Sequence, residues 1–326
     1  MKKFLRFLAY LGLGVIVVLA AAGALFGYFL YAPEPQAPQL SGALTKGRIE
    51  VGGLKRVYLT YVPKGLAPGA PLVLVMHGSG EGAGQIRTGT GYGFERLADQ
   101  HGFALAYPES FTFDWNDCSS IGEFSVKGAP VDDVGFLGAL ADKLIAELGV
   151  DRQRVFATGV SAGGSMAMRL ALEAPARYRA IAAVAANVPR PENFKCKPAG
   201  QGASVMIMNG TEDPLVPFNG GEVNLLGLFY KAGNVHSSHQ SGQYFAHVNG
   251  LGAAPATRKT PLAKGVAIEQ ITWRNGGRAE VELAAIHGGG HGIPHPHARR
   301  PRLLGPSPME PNGPEMVWEF FARQPR

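Results

Sequence analysis

The chain has 326 residues, of which 46% are hydrophobic and 17% charged, with a formal net charge of +6. This composition is typical of a globular protein and excludes a collagen-like or fully disordered chain. The tightest basic run, residues 299–302, is short and interrupted by proline, so we expect no nucleic-acid partner.

The N-terminal segment has the pattern of a membrane helix. Lys2, Lys3 and Arg6 precede an uncharged, apolar stretch from residue 7 to residue 31. A helix of this length spans a bilayer, and the basic residues before it predict a cytoplasmic N-terminus with the rest of the chain outside. We predict a transmembrane anchor over residues 1–31, so that the membrane is a partner. A signal peptide cleaved near residues 22–24, which would release a secreted protein, is the alternative.

Residues 32–46 are proline-rich and predict an extended linker, and one globular domain is expected over residues 47–326. Within it, apolar segments typical of strands alternate with helical patterns. Strands are predicted at residues 49–52, 56–62, 72–76, 103–107, 154–158, 181–185, 205–209 and 280–285, and helices at residues 94–101, 134–148, 164–173 and 314–322. This alternation predicts an α/β fold with a mostly parallel central sheet and helices on both faces, and the first two strands form a hairpin. The segment 220–260 breaks the alternation and is expected to be a lid or a wall of a binding site.

A nucleophile motif, Gly159-Val-Ser161-Ala-Gly163, lies between a predicted strand and a predicted helix. In a chain with 45 glycines the pentapeptide alone arises readily by chance, so the prediction depends on this context. A serine on a tight strand-to-helix turn has its hydroxyl exposed above the sheet, where it can attack a carbonyl. The backbone N–H groups of Ala162 and Ser79 are the expected oxyanion-hole donors, although a simple Gly-rich turn would also explain the sequence around Ser79.

An acid and a base follow in the order that a Ser–acid–His triad requires. Asp213 comes directly after the strand at residues 205–209, and His291 lies in a Gly-rich loop after the strand at residues 280–285. Glu212 is the alternative acid, and the alternative bases are His295 and His297, whereas His287 comes too soon after the strand. A metal site formed by these histidines is disfavoured because prolines interrupt the run, so no metal and no cofactor is expected.

Two further pairs of residues carry predictions. Cys118 and Cys196 are expected to form a disulfide outside the cytoplasm, with two buried free thiols as the alternative. Asp132 or Asp133 is expected to cap the helix that follows, and a substrate role for either is a weaker alternative.

Several segments together resemble a known family. They are His77-Gly-Ser-Gly, residues 97–109, residues 131–136, the run around Ser161, Asn209-Gly-Thr-Glu-Asp213 and Gly288-Gly-Gly-His291. In order and spacing they resemble the poly(3-hydroxybutyrate) depolymerase and feruloyl esterase family of α/β-hydrolases. The resemblance implies an α/β-hydrolase fold and an exported carboxylic-ester hydrolase, with Ser161, Asp213 and His291 on the triad positions. It also implies that Trp115 lines the substrate cleft, and a core position is the alternative for this tryptophan.

The chain departs from that family after His291, where many relatives have Thr-Trp-Pro-Gly and this sequence has Gly-Ile-Pro-His. The departure and the expected anchor favour a small-molecule or oligomeric ester, soluble or close to the membrane, over a solid polymer. The predicted function is a serine esterase that works through an acyl-enzyme. An acyltransferase and a catalytically inactive cell-envelope binding module are the alternatives. The loops 111–123 and 220–260 are expected to set the pocket shape.

Overall fold

The computed structural model describes residues 1–326 apart from residues 113, 122–124, 127–128, 201, 226, 228–230, 253–254, 263–265, 278 and 326. The described α-helices are α1 Lys2–Leu30, α2 Ala83–Gly89, α3 Gly93–His101, α4 Asp133–Leu148, α5 Ala162–Glu173, α6 Ser238–Val248 and α7 Gly313–Ala322. The described strands are β1 Ala43–Val51, β2 Leu54–Val62, β3 Leu72–Met76, β4 Ala104–Pro108, β5 Ser125–Val126, β6 Ala129–Pro130, β7 Val155–Val160, β8 Ala180–Val184, β9 Ser204–Gly210, β10 Gly221–Glu222, β11 Asn234–Val235, β12 Ala256–Pro261, β13 Ala267–Trp273 and β14 Val281–His287.

Within the described residues, ten strands form one sheet in the order β1-β2-β4-β3-β7-β8-β9-β14-β13-β12. The six central strands from β4 to β14 are parallel to one another, and antiparallel strands flank them on both sides. β1 and β12 are therefore the two edge strands. The predicted α/β-hydrolase architecture, a mostly parallel sheet with helices on both faces, is confirmed.

The central strands are apolar on both sides because helices cover both faces of the sheet. Strand β3 has every residue buried: Leu72, Leu74 and Met76 pack on one face, and Val73 and Val75 on the other. Helices α4, α5 and α6 cover the first face, and α2, α3 and α7 cover the second. The core thus has two apolar layers, one on each face of the sheet, and the loops extend from the ends of the strands.

Every predicted strand and helix is present, and one strand, β1, is much longer than predicted. Most boundaries agree within two residues, but β1 begins at Ala43 and pairs along its whole length with β2. Residues 43–46, which the sequence assigned to the linker, therefore belong to the sheet. The elements that were not predicted are helices α2 and α6 and strands β5, β6, β10, β11, β12 and β13. The loops 111–123 and 220–260, which were expected to shape the pocket, lie partly outside the described residues.

Helix α1 stands apart from the core. Its 29 residues are all exposed, and it is long and apolar enough to cross a membrane, although a signal sequence meets the same criterion. The chain after it runs along the domain surface. Ser41 donates hydrogen bonds from its N–H and its hydroxyl to Asp99 (2.8 and 2.7 Å), and the Gly42 N–H donates to the Tyr61 hydroxyl (2.9 Å).

Candidate active site

Ser161 occupies the sharp turn between β7 and α5. Its backbone has φ 58° and ψ −122°, a combination that a residue with a side chain adopts at a cost of about 1–3 kcal/mol. The Ser161 N–H is held by the carbonyl of Val184 on the neighbouring strand (2.8 Å). The turn therefore has the geometry of the predicted nucleophile elbow, with Ser161 partly exposed at its tip.

The glycines of the motif are needed because the backbone is crowded at this turn. A Cβ on Gly159 would lie 2.4 Å from the Gly163 carbonyl carbon, and one on Gly163 would lie 2.4 Å from the Met76 carbonyl oxygen. Both contacts are with backbone atoms, which have little freedom to move. The Gly-x-Ser-x-Gly pattern is thus a packing requirement between β7, α5 and β3.

His291 and Asp213 form a buried pair at the same edge of the sheet. The His291 Nδ1 is 2.8 Å from Asp213 Oδ2, and the two side chains are 3% and 1% exposed. The other carboxylate oxygen of Asp213 accepts from the N–H groups of Leu215 and Val216 (2.8 and 2.9 Å). These bonds fix the orientation of the Asp213 carboxylate. Because that carboxylate accepts a hydrogen bond from His291 Nδ1, the favoured tautomer of His291 carries its hydrogen on Nδ1 and leaves Nε2 as an acceptor.

The sheet order brings these three residues together. Ser161 follows β7, Asp213 follows β9, and His291 follows β14, and all three strands are parallel. Their carboxyl ends therefore lie along one edge of the sheet. Strand β8 separates β7 from β9, a spacing of about 10 Å, which the side chains and the β14 loop can bridge.

The alternatives for the acid and the base have other positions. Glu212 is exposed, whereas Asp213 holds His291. His287 pairs instead with Glu269 (2.9 Å). His295 is buried and accepts a hydrogen bond at Nδ1 from the N–H of His297 (3.0 Å). Among the described residues there is no cluster of His, Cys, Asp and Glu side chains suited to a metal.

The two predicted oxyanion donors flank Ser161. Ala162 is the first residue of α5, where N–H groups have no partner within the helix and the helix dipole favours negative charge. The β3–α2 loop (residues 77–82) lies on the other side: a Cβ built on Gly78 would be 3.5 Å from the Ser161 Cβ. Ser79 follows directly, and its hydroxyl hydrogen-bonds with Asp114, whose pKa is raised by burial.

Trp115 packs against the β3–α2 loop. It is 2% exposed, and its indole N–H donates to the His77 carbonyl (2.9 Å) while its ring packs against the His77 ring. The His77 ring is itself fixed, since Nδ1 donates to the Gly78 carbonyl (2.8 Å) and Nε2 accepts from the Ser110 N–H (3.1 Å). Trp115 therefore has the core position and not the cleft-lining one, because the main chain of the loop covers its indole.

An ion pair that the sequence did not suggest joins the two loops of the site. The Arg300 Nη2 lies 2.6 Å from Glu81 Oε1, and both side chains are 18% exposed. The second oxygen of Glu81 accepts from the Gly78 N–H (3.3 Å). Arg300 belongs to the β14–α7 loop (residues 288–312), which also carries His291. The pair spans 219 residues of sequence, so no local pattern could have revealed it.

A buried ion pair, Arg56–Asp133, holds the segment that contains Asn116. Arg56 Nη2 contacts Asp133 Oδ1 (2.6 Å), and the two side chains are 2% and 1% exposed. Burial lowers the pKa of Arg56, and the Asp133 carboxylate opposes that shift. Asp133 also accepts from the Asn116 N–H (2.8 Å), whereas Asp132 is the residue that caps α4 by accepting from Gly135. The two aspartates thus have separate structural roles.

The two cysteines are joined as a disulfide, with their Cα atoms 4.9 Å apart. Backbone hydrogen bonds run beside the link, from the Lys195 N–H to the Cys118 carbonyl (2.9 Å) and from the Ser120 N–H to the Asn193 carbonyl (2.8 Å). The bond therefore fixes the segment after Trp115 to the chain between β8 and β9.

Part of the chain is similar to known esterases. The family model "Esterase PHB depolymerase" matches residues 56–214, which include Ser161 and Asp213. Over these residues, just under half of its length, the chain is similar to the PHB depolymerase family of esterases. This is the family that the sequence motifs indicated.

Individual relatives match part of their length. The putative esterase NocK of Nocardia uniformis subsp. tsuyamanensis is 34% identical over 193 residues, which cover 58% of this chain and 54% of that protein. Feruloyl esterase C of Emericella nidulans is 26% identical over 184 residues, covering 55% of this chain and 62% of that one. The chain thus spans somewhat over half the length of these relatives.

A solved structure agrees in fold. The acetyl xylan esterase from Aspergillus awamori superposes with a TM-score of 0.52 and 18% identity, over 77% of this chain and 95% of that one. At this identity the match supports the α/β-hydrolase fold alone.

Proposed function

We propose that this protein is a serine esterase that cleaves carboxylic-ester bonds with Ser161 as nucleophile, His291 as base and Asp213 as the acid that orients the base. The observation that carries the proposal is the buried Asp213–His291 pair at the sheet edge where the strained Ser161 turn emerges. The family's esterase relatives support the same reaction class.

The mechanism follows from the roles of these groups. His291 Nε2 takes the hydroxyl proton as Ser161 Oγ bonds to the ester carbonyl carbon, and Asp213 stabilises the imidazolium that forms. The N–H groups of Ala162 and Ser79 hold the negative oxygen of the tetrahedral intermediate. His291 then returns the proton to the leaving alcohol, which gives an acyl-enzyme on Ser161. Water, activated by His291, releases the acid by the same route.

The location is part of the proposal. An uncleaved α1 would anchor the protein, with Lys2, Lys3 and Arg6 on the cytoplasmic side and the domain outside. The Cys118–Cys196 disulfide supports this placement, since such bonds persist in oxidising compartments.

The test is the substitution Ser161→Ala in the full chain, with Ser165→Ala, one turn further along α5, as the matched control. We expect Ser161→Ala to lower kcat for p-nitrophenyl acetate by roughly 10⁴–10⁶-fold and to abolish labelling by a fluorophosphonate, while the control retains both. Undiminished turnover by Ser161→Ala would refute the assignment. A wild-type protein that neither turns over esters nor takes the label would be an inactive binding module.

A further inference from the structure

The outer end of α1 contacts the loop that carries His291. Arg302 Nη1 donates to the Tyr28 carbonyl (3.1 Å), and its guanidinium lies 4.4 Å from the centre of the Tyr28 ring. Arg302 is in the β14–α7 loop, at the start of the 3₁₀ turn Arg302–Leu304. The apolar helix is therefore in direct contact with the loop that carries His291.

Only a short path separates that contact from the catalytic base. The His291 N–H donates to the Leu304 carbonyl (2.7 Å), and the Gly290 N–H donates to the Pro306 carbonyl (2.7 Å). Leu304 is two residues after Arg302, so the His291 backbone lies within about 10 Å of the Arg302 Cα. A membrane that contains α1 would consequently have its surface close to the active site.

The segment that follows α1 is too short and too closely attached to the domain to act as a spacer between the domain and the membrane. Leu40 packs against the core, and Ser41 and Gly42 are hydrogen-bonded to Asp99 and Tyr61. Only about ten residues separate α1 from these attachments, and several of them lie against the domain. At 1.5 Å per residue, the 29 residues of α1 are about 43 Å long and exceed the roughly 30 Å hydrocarbon core, so the Tyr28 end would lie among the lipid headgroups.

The surface beside Tyr28 has the chemistry of a lipid-binding face. Within the part of the chain that the structure describes, neither Arg299 nor Arg302 has a carboxylate partner. Two cavities of about 520 and 470 Å³ adjoin here and share Arg299, Pro306 and Ser307. Met309, 44% exposed, lines the second cavity. Guanidinium groups suit phosphate, and the proline- and methionine-lined surface suits acyl chains.

We propose that this face of the β14–α7 loop rests on the outer leaflet, and that Ser161 acts on acyl esters carried by that leaflet. The inference rests on the proposed esterase function and on an uncleaved α1. Arg299 and Arg302 bind the phosphate headgroups, and the loop they belong to holds His291 at the membrane surface. Esters dissolved in bulk water are secondary substrates.

The experiment uses the full chain in vesicles of phosphatidylcholine containing phosphatidylglycerol. The measured quantity is the ratio of two turnover rates: that of p-nitrophenyl palmitate dissolved in the same vesicles and that of water-soluble p-nitrophenyl acetate. A difference in the amount of folded enzyme changes both rates equally and leaves this ratio unchanged. We expect Arg299→Ala/Arg302→Ala to lower this ratio roughly 5–25-fold, about fivefold per arginine. Arg152→Ala, an exposed arginine at the opposite, amino edge of the sheet, is the matched control and leaves the ratio unchanged.

A second arm of the experiment changes the lipid composition. Replacing the phosphatidylglycerol by phosphatidylcholine lowers the wild-type ratio and leaves that of the double variant unchanged. An equal ratio for wild type and double variant, or acetate turnover with no palmitate turnover in the same vesicles, overturns the inference and leaves the esterase function standing. Loss of turnover on both esters in the wild type refutes the proposed function itself.

Discussion

At the residue scale, Ser161 shows why a sequence motif can locate a sharp strand-to-helix turn. The backbone is crowded on both sides of this turn, so Gly159 and Gly163 are required there and leave a visible pattern in the sequence. Asp213 and His291 were also predictable, since each follows an apolar strand. The Glu81–Arg300 pair and the supporting role of Trp115 were not, because they depend on contacts between residues far apart in the chain.

His295 gives a pH-dependent prediction at the same scale. Burial, with His297 and Arg96 nearby, lowers the pKa of His295 from 6.5 to about 4. The unfolded chain therefore binds more protons than the folded one between pH 6.5 and 4, so the contribution of His295 to stability is full above pH 6.5 and is lost as the pH falls. Protonation would also break the bond that Nδ1 accepts from the His297 N–H.

The measurement is urea unfolding at pH 7.5 and 5.0 of wild type and His295→Asn, whose side-chain oxygen can replace the Nδ1 acceptor. Between these two pH values the wild type should lose up to about 2 kcal/mol more stability than the variant, from 1.4 kcal/mol per pH unit below 6.5. Other titrating groups are common to both proteins and cancel. Parallel losses in the two proteins would contradict the assigned protonation of His295.

At the element scale, regular periodicity made most of the sheet predictable. The apolar strands β3, β7 and β9 and the amphipathic helices α3, α4, α5 and α7 were found within two residues. Strand β12, with the exposed, charged run Arg258-Lys259, lacks a buried face, which is why its sequence does not indicate a strand. Strand β13 buries Ile268 on one face of the sheet and Ile271 and Trp273 on the other, so its buried residues do not alternate strictly and its strand signal is weak.

The Glu81–Arg300 ion pair between the β3–α2 and β14–α7 loops leads to a prediction about kcat. Glu81 bonds the Gly78 N–H, next to the expected oxyanion, and Arg300 balances its negative charge. Arg300→Met would leave that charge unpaired and oppose the charge that develops on the substrate. We expect kcat for p-nitrophenyl acetate to fall roughly tenfold, since a part-buried pair contributes on the order of 1–2 kcal/mol.

The double variant Arg300→Met/Glu81→Gln removes the unpaired charge and should recover most of that loss in kcat, with little change in KM. A purely structural role for the pair predicts the reverse, because the double variant would then be no better than the single one. Fluorophosphonate labelling rates of the three proteins provide an independent measure of the same effect.

At the scale of the whole molecule, one covalent link joins parts of the chain that are far apart in sequence. The disulfide closes a loop of 78 residues that contains β7, Ser161 and α5. Replacing both cysteines, Cys118→Ala/Cys196→Ala, should lower the free energy of unfolding by about 2–5 kcal/mol. Urea unfolding of the full chain in detergent, without reductant, measures this difference.

Reduced wild type serves as the control for the disulfide variant, and the two should unfold at the same urea concentration. An unchanged midpoint for the variant would mean that the bond contributes nothing to stability. The sequence suggested the pairing from the number of cysteines and the expected compartment alone, and it could not show which loops would be joined.

The edge strands β1 and β12 have a consequence for how copies of this protein behave when crowded together. An open strand edge offers unpaired backbone groups on which a second chain can add. Here β1 exposes Lys46 and Arg48, while β12 exposes Arg258 and Lys259 and ends at Pro261. Adding another copy edge to edge would bring like charges together, and a proline lacks the N–H that such pairing needs. These features oppose edge-to-edge aggregation at both margins of the sheet, and they would matter most if the proposed membrane anchor held copies of the protein side by side.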